Sequence, residues 1–181
     1  LSQSDYMFRN ISVEDGLSES TVKVVFEDHQ GFIYFGTENG LDFYDGYKFH
    51  NYQMHSFDEA SILGNKISSI YEDSNNKIWV GTVLGVSKFE PDTRRFSRPI
   101  KLDPKADLAI SNPKTIVEDR NGNIWINLFD NNQLFQFSPT QDTTFCMNCE
   151  KNDPLFNIVV TALYEDENKT IWFGTDAGLF Y

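Results

Sequence analysis

The chain contains no uninterrupted apolar run of the ~18 residues that a membrane-spanning helix requires. No stretch holds an apolar stripe at 3.6-residue spacing either, which removes helical bundles and helical repeats from consideration. Basic residues are scarce: 15 Lys and Arg stand against 27 Asp and Glu, for a formal charge of −12. Such a field repels phosphate backbones and anionic lipid surfaces, which argues against a nucleic-acid partner and a peripheral membrane role. The three histidines, His29, His50 and His55, and the two cysteines, Cys146 and Cys149, lie far apart in sequence. A zinc site would need a second pair of ligands at suitable spacing, and none is present. The "CMNC" pair also lacks the strand-to-helix context of a redox centre, leaving two incidental thiols or a local disulfide. Cysteine usage therefore does not fix the compartment. Nothing at the start reads as a signal peptide; "LSQSDYMF" suits the start of a mature chain or an arbitrary boundary equally.

Aromatic residues are plentiful. With 16 Phe and 8 Tyr in 181 residues, the composition leans towards strands and supports a substantial core. The aromatics recur in register. "QGFIYFGTENG" (30–40), "NKIWVGTVLG" (76–85), "GNIWINLFDN" (122–131) and "KTIWFGTDAG" (169–178) are four versions of one phrase. Each follows an apolar strand ending in Glu-Asp, namely "VKVVFED", "ISSIYED", "KTIVED" and "VTALYED", and a polar turn. Asp28, Asp73, Asp119 and Asp166 are separated by 45, 46 and 47 residues, and Tyr34, Trp79, Trp125 and Trp172 keep the same intervals. A third strand follows each phrase. Three copies continue into a fourth strand, "YKFHNYQ" (47–53), "RFSRPIKL" (95–102) and "DTTFCMN" (142–148). Four short strands per period of about 45 residues is the period of a β-propeller blade. The expected fold is all-β: four consecutive antiparallel blades, at about 13–53, 64–102, 112–148 and 157–181, the last incomplete.

The second strand of each blade is apolar on consecutive residues, "FIYF", "IWV", "IWI" and "IWF". A sheet with one wet face would alternate, so both faces of these strands are buried, as in a blade stacked between two others. The Tyr or Trp is then the wedge between neighbouring sheets. Gly36, Gly81 and Gly174 follow at a position suited to close backbone approach or positive φ. The third copy departs, with Asn127 and Gln133 in place of glycines and a loop two residues longer; Asn is the side chain best able to accept a left-handed backbone there. The recurring Asp residues sit at strand ends before Asn and Gly, where Asp bonds the backbone of a turn ahead of it. They read as structural and not as catalytic pairs. "DRNGN" (119–123) resembles the start of a calcium loop, but Ile124 and Asp130 occupy the positions that need Gly and Glu. No metal or cofactor is expected. Asn10 and Asn168 fall in glycosylation triplets that need no glycan.

"DGLSESTVKVVFEDHQGFIYFGTENGLDFYDGYKFHNY" (15–52) resembles the first repeat of a two-component regulator propeller. "SSIYEDSNNKIWVGTVLGVSKFEPDTRRF" and "TALYEDENKTIWFGTDAGLFY" resemble its following repeats. The resemblance covers nearly the whole chain and is poorest in the third blade. It implies a seven-bladed propeller in the periplasmic sensor region of a membrane-anchored hybrid histidine kinase and response regulator of the Bacteroidetes type. The ligand class it implies is oligosaccharide. No histidine-phosphorylation or receiver pattern is present, so this chain is expected to catalyse nothing.

Four blades are too few to close a ring of seven, so the chain reads as part of a longer protein. "YMFRNIS" (6–12) reads as a strand belonging to a closing blade. An open arc exposes apolar end faces, from which self-association through blade faces or edges is expected. Ligands of propellers meet loops at one rim of the channel. The loops after the Gly-Thr positions supply Glu38, Asn39, Asp130, Asn131 and Asp176, whose carboxylates and amides suit sugar hydroxyls. Two alternatives remain. The "EDxxGxIW" rhythm also resembles the propeller of streptogramin lyases, which would require a base and a metal at the axis. A bare protein-interaction scaffold is the other. Histidines gathered at the axis would favour an enzyme; histidines scattered outside it would favour a sensor.

Overall fold

The computed structural model describes residues 7–98, 100, 112–130 and 133–181. Blade 1 comprises β1 (Val22–Glu27), β2 (Ile33–Thr37), β3 (Leu41–Tyr44) and β4 (Phe49–Tyr52). Blade 2 comprises β5 (Ile67–Glu72), β6 (Ile78–Thr82), β7 (Gly85–Glu90) and β8 (Arg95–Ser97). Blade 3 comprises β9 (Pro113–Glu118), β10 (Ile124–Leu128), β11 (Leu134–Ser138) and β12 (Thr143–Cys146), and blade 4 comprises β13 (Val160–Glu165), β14 (Ile171–Thr175) and β15 (Gly178–Phe180). Each blade is an antiparallel meander paired in chain order. The first strands of successive blades adjoin, β1 with β5, β5 with β9 and β9 with β13, so they form the inner edge of a fan. The expected all-β propeller architecture is what the chain builds. The one helical element among the described residues is a 3-10 turn, Val13–Asp15.

Residues 7–12 form no strand, contrary to the sequence expectation, and Tyr6 lies outside the described residues. Met7 and Phe8 are exposed and bury no face on a sheet. Ser12 caps the 3-10 turn in a reciprocal pair with Asp15. Asp-Gly-Leu-Ser then lies against blade 1. Leu17 is buried, and Ser18 donates to the buried Asp42 carboxylate from both its backbone and its hydroxyl.

The core consists of three seams. Tyr34, Leu41 and Phe43 of blade 1 pack on Ile67, Ile78, Val80 and Phe89 of blade 2. Trp79 and Val86 of blade 2 pack on Ile124, Ile126, Phe135 and Phe137 of blade 3. Val117 and Leu134 of blade 3 pack on Val160, Leu163, Ile171 and Phe173 of blade 4. The recurring ring always points forward: Tyr34 meets Phe89, Trp79 meets Phe137, and Trp125 meets Phe173 edge-on at 5.2 Å. Trp79 is 2% exposed. Burying a ring of that size is worth several kcal/mol at ~25 cal/mol per Å².

The glycines after the rings of blades 1 and 2 sit where a side chain has no room, against the next blade at Gly36 and against both its own first strand and the next blade at Gly81. A Cβ on Gly36 would stand 2.6 Å from Ile67 Cγ2, and one on Gly81 would stand 2.3 Å from Ser69 Oγ and 3.0 Å from Pro113 Cβ. Neither has a positive φ, so close approach is the cause. Asn127, at this position in blade 3, is likewise in extended backbone, which corrects the expectation that Asn serves there for left-handed geometry. Instead its amide reaches the next blade and donates to the Val160 carbonyl at 3.1 Å. Left-handed backbone occurs at Gly40, Gly85 and Gly178, with φ of 121°, 138° and 119°, where β2, β6 and β14 turn back.

Each Asp holds its turn and its ring together. Asp73 Oδ1 accepts from the backbone N–H of Asn75 and of Lys77, and its Oδ2 accepts from Trp79 Nε1 at 2.7 Å. Asp119 with Trp125 and Asp166 with Trp172 repeat this arrangement, and in blade 1 the Tyr34 hydroxyl substitutes for the indole on Asp28. The preceding Glu ties blades together. Glu72 accepts from the backbone N–H of His29, one blade back, and Glu118 from that of Ser74. Glu165 breaks the series and accepts from the Tyr71 hydroxyl at 2.6 Å, two blades back.

Candidate ligand site at the Gly-Thr rim

The Asp and Glu residues crowd one rim of the fan, and the structure leaves them little chemistry to spare. Burial works against ionisation of Asp119, yet hydrogen bonds from Trp125, Asn123 and Asn121 outweigh it and hold its carboxyl below the ordinary range. At Asp166 the Trp172 indole is the leading cause of a similar depression. Desolvation, followed by Asp28, raises the Tyr34 hydroxyl far above its usual range, and desolvation, followed by Glu165, does so for Tyr71. These carboxylates are bound acceptors, as the sequence reading expected.

The opposite rim carries the Gly-Thr loops. Each tight loop is braced by its threonine: Thr37, Thr82 and Thr175 donate to the carbonyls of Gly40, Gly85 and Gly178. The five sequence candidates occupy this rim but do not converge. Asn39 is engaged in holding the loop, donating to the Ser18 carbonyl and accepting from Gln53. Asp176 accepts from the Val159 backbone N–H. Glu38 pairs with Lys23 at 3.4 Å, Asp130 accepts from the Asn112 amide, and Asn131 lies outside the described residues.

Glu38 lines a cleft of about 330 Å³ where blades 1, 2 and 3 meet, together with Lys23, Lys66, Ser68, Asn112 and Phe129. Sequence reasoning missed the last five. Their only signal was the irregular third repeat, which places Phe129 where the other blades have a two-residue turn. A larger groove of about 680 Å³ runs along the seam of blades 2 and 3, floored by Trp79 and Phe137. Its polar groups already satisfy one another: Ser74 bonds Glu118, Trp79 bonds Asp73 and Lys77 pairs with Glu90. In the rim cleft, by contrast, Lys66 makes no ion pair among the described residues, and the buried Ser68 hydroxyl oxygen has no hydrogen-bond partner.

The histidines do not gather at the axis. His29 lies in the β1–β2 turn against Glu72, His50 on the outermost strand against Asp45, and His55 in the connection to blade 2. Among the described residues no group of three His, Cys, Asp or Glu is placed to hold a metal ion. Cys146 and Cys149 form a disulfide, which resolves the two readings of "CMNC". Among the described residues no helix is long and apolar enough to cross a membrane.

Residues 16–39, 61–83 and 154–177 match the two-component regulator propeller family, in blades 1, 2 and 4. The match falls on three of the four blades and on less than half of the chain. Blade 3, outside those stretches, is the one that departs from the motif at Asn127 and Gln133. Among solved structures the chain is similar to the extracellular domain of the hybrid two component system BT3049 from B. thetaiotaomicron. The identity is 20% and the TM-score 0.51, over 94% of this chain and 30% of that one. It is also similar to the streptogramin B lyase structure, at 15% identity and TM-score 0.62 over 91% of this chain and 55% of the lyase. PorZ, a surface component of the type-IX secretion system of Porphyromonas gingivalis, is similar at 19% identity and TM-score 0.56, over 88% of this chain and 24% of that one. At such identities the likeness is one of fold. The chain spans about a third of the length of the Bacteroides extracellular domains it matches. No curated protein matches it.

Proposed function

We propose that this chain is a non-catalytic, extracytoplasmic ligand-sensing part of a membrane-anchored hybrid two-component signalling protein, and that its ligand is an oligosaccharide. The observation that carries the reading is the set of two-component regulator propeller repeats on blades whose repeated carboxylates serve the fold. Glycan-array binding followed by titration calorimetry tests it. Saturable binding of a defined oligosaccharide is the expected result, and silence across neutral and acidic glycans would overturn the glycan assignment.

The end faces support a longer ring of seven blades, or self-association where the arc stands alone. Val25 on one side is 65% exposed, and Tyr181 on the other is 83% exposed beside Tyr164 and Leu179. Light scattering of the isolated arc, with dimer expected, tests the second possibility. The likeness in fold to streptogramin B lyase keeps one enzymatic reading in view. Turnover of quinupristin, present in a solved virginiamycin B lyase structure, would establish it; the scattered histidines favour no turnover. Capture of a specific protein with no glycan response would favour a scaffold.

A further inference from the structure

The regularity of the repeat fails at one place on the Gly-Thr rim, in blade 3. In blades 1, 2 and 4 a threonine braces a two-residue loop. Blade 3 has Leu128 there, and Phe129 and Asp130 are held instead by Asn112. The Asn112 carbonyl accepts from the Phe129 backbone N–H, the Asn112 backbone N–H donates to the Thr82 carbonyl of blade 2, and the Asn112 side-chain amide donates to Asp130. Asn112 holds a left-handed conformation to do this, with φ 52°. Three bonds from one residue thus fix an aromatic ring that is itself 51% exposed. A fold that departs from its own repeat and anchors the departure marks a functional position, and a ring held in place before binding loses little entropy on contact.

The surroundings state the ligand chemistry. Lys114 Nζ lies 5.9 Å from the centroid of the Phe129 ring, and Lys23 and Lys66 line the adjoining cleft, against two carboxylates, Glu38, paired with Lys23, and Asp130, bonded to Asn112. This is a local excess of positive charge on a chain of net charge −12. Ser68 also lines the cleft, with its hydroxyl oxygen buried away from solvent. The electron-rich face of an aromatic ring attracts the weakly positive C–H bonds of a sugar ring. An ammonium suits a carboxylate. At about 330 Å³ the cleft is small for a ligand pocket and fits one or two sugar rings.

We propose that this cleft binds the end of a uronate-containing oligosaccharide. The sugar packs on Phe129, and its carboxylate accepts from Lys66 and Lys23. Asn112 is the positioning residue for Phe129. The proposal rests on the glycan-sensing reading and specifies its site and ligand class.

The test is calorimetric titration of the protein with trigalacturonate, a sulfated disaccharide lacking uronate, and neutral cellotriose. It is made for the parent and for Lys66→Gln, Phe129→Ser and Lys88→Gln, the last in the groove on the other rim. Trigalacturonate should bind the parent, lose at least about tenfold in affinity in Lys66→Gln and Phe129→Ser, weaken with added salt, and be unchanged in Lys88→Gln. Unaltered melting curves would show that the losses are local. Equal binding of cellotriose would overturn the carboxylate assignment, and binding of the sulfated disaccharide alone would replace uronate by sulfate. Saccharide binding that Lys66→Gln and Phe129→Ser leave intact would overturn the site while leaving the glycan reading standing. No binding of any of the three by the parent would overturn the uronate site and leave the glycan reading to the array.

Discussion

Blades 2 and 3 share one strand plan and differ in what they show. In blade 2 every repeat position is filled as the pattern demands. Trp79 is buried, Gly81 admits the neighbouring strand, and Thr82 closes a two-residue loop. In blade 3, Trp125 fills its seam as Trp79 does, but Asn127 bonds across to blade 4, Leu128 has no hydroxyl, and Phe129 projects. The seam is preserved and the rim is not. Packing between blades is what the repeat must conserve physically, because a closely packed interior punishes any change of volume. A rim loop answers only to solvent and ligand and is free to diverge.

Several measurements would break or sharpen this contrast. The largest expected effect is at the seam. Trp79→Ala should cost about 3–5 kcal/mol in urea unfolding. Trp172→Ala, whose ring faces an open end and stacks only on Tyr181, should cost less than half as much. Next is the glycine after the ring. Gly36→Ala should cost about 1–3 kcal/mol by forcing Ile67 away. Gly174→Ala, where an added Cβ would meet Ala162 at an ordinary 3.4 Å, should stay within about 0.5 kcal/mol. Equal costs at both positions would show that backbone conformation, not the neighbouring blade, selects glycine.

Reducing the Cys146–Cys149 disulfide should cost at most about 2 kcal/mol, since the loop it closes is short. The loss should concentrate in blade 3 and its exit, because Met147 bonds to Leu134 and Leu155, and Asn148 to the Ile158 carbonyl. Hydrogen exchange with and without reductant would show this. The smallest effect near neutrality is that of acid. Asp119 and Asp166 have carboxyl groups depressed on folding, so their contribution is fully present above the unfolded value near pH ~4. It is lost as the pH falls through the lower folded values. Asp119→Asn should therefore flatten the acid limb of the stability curve and leave its slope above pH ~5 unchanged.

Much of this was legible in the residues. The interval of about 45 residues, the doubly apolar second strands and the Glu-Asp endings specified blades, seams and turns, because each is a local pattern written four times. The bond from each Asp to the ring was readable in principle, since the separation is six residues in every copy: 28 to 34, 73 to 79, 119 to 125 and 166 to 172. The ties from Glu72 and Glu118 to the preceding blade were not, because their partners lie 43 and 44 residues away with no shared residue type. The rim candidates chosen by loop position scattered for the same reason. A cleft made by the meeting of three blades draws on Lys23, Lys66 and Phe129, which no single loop contains.

In a row of repeats where each unit touches only its neighbours, unfolding can fray from an end one unit at a time. The hydroxyl of Tyr71 grips Glu165 past an intervening sheet, and this stitch couples the two ends of a three-unit stretch. The fourth sheet then leaves less readily without loosening the second, so these three units should melt together while the first, tied to its neighbour alone, can release separately.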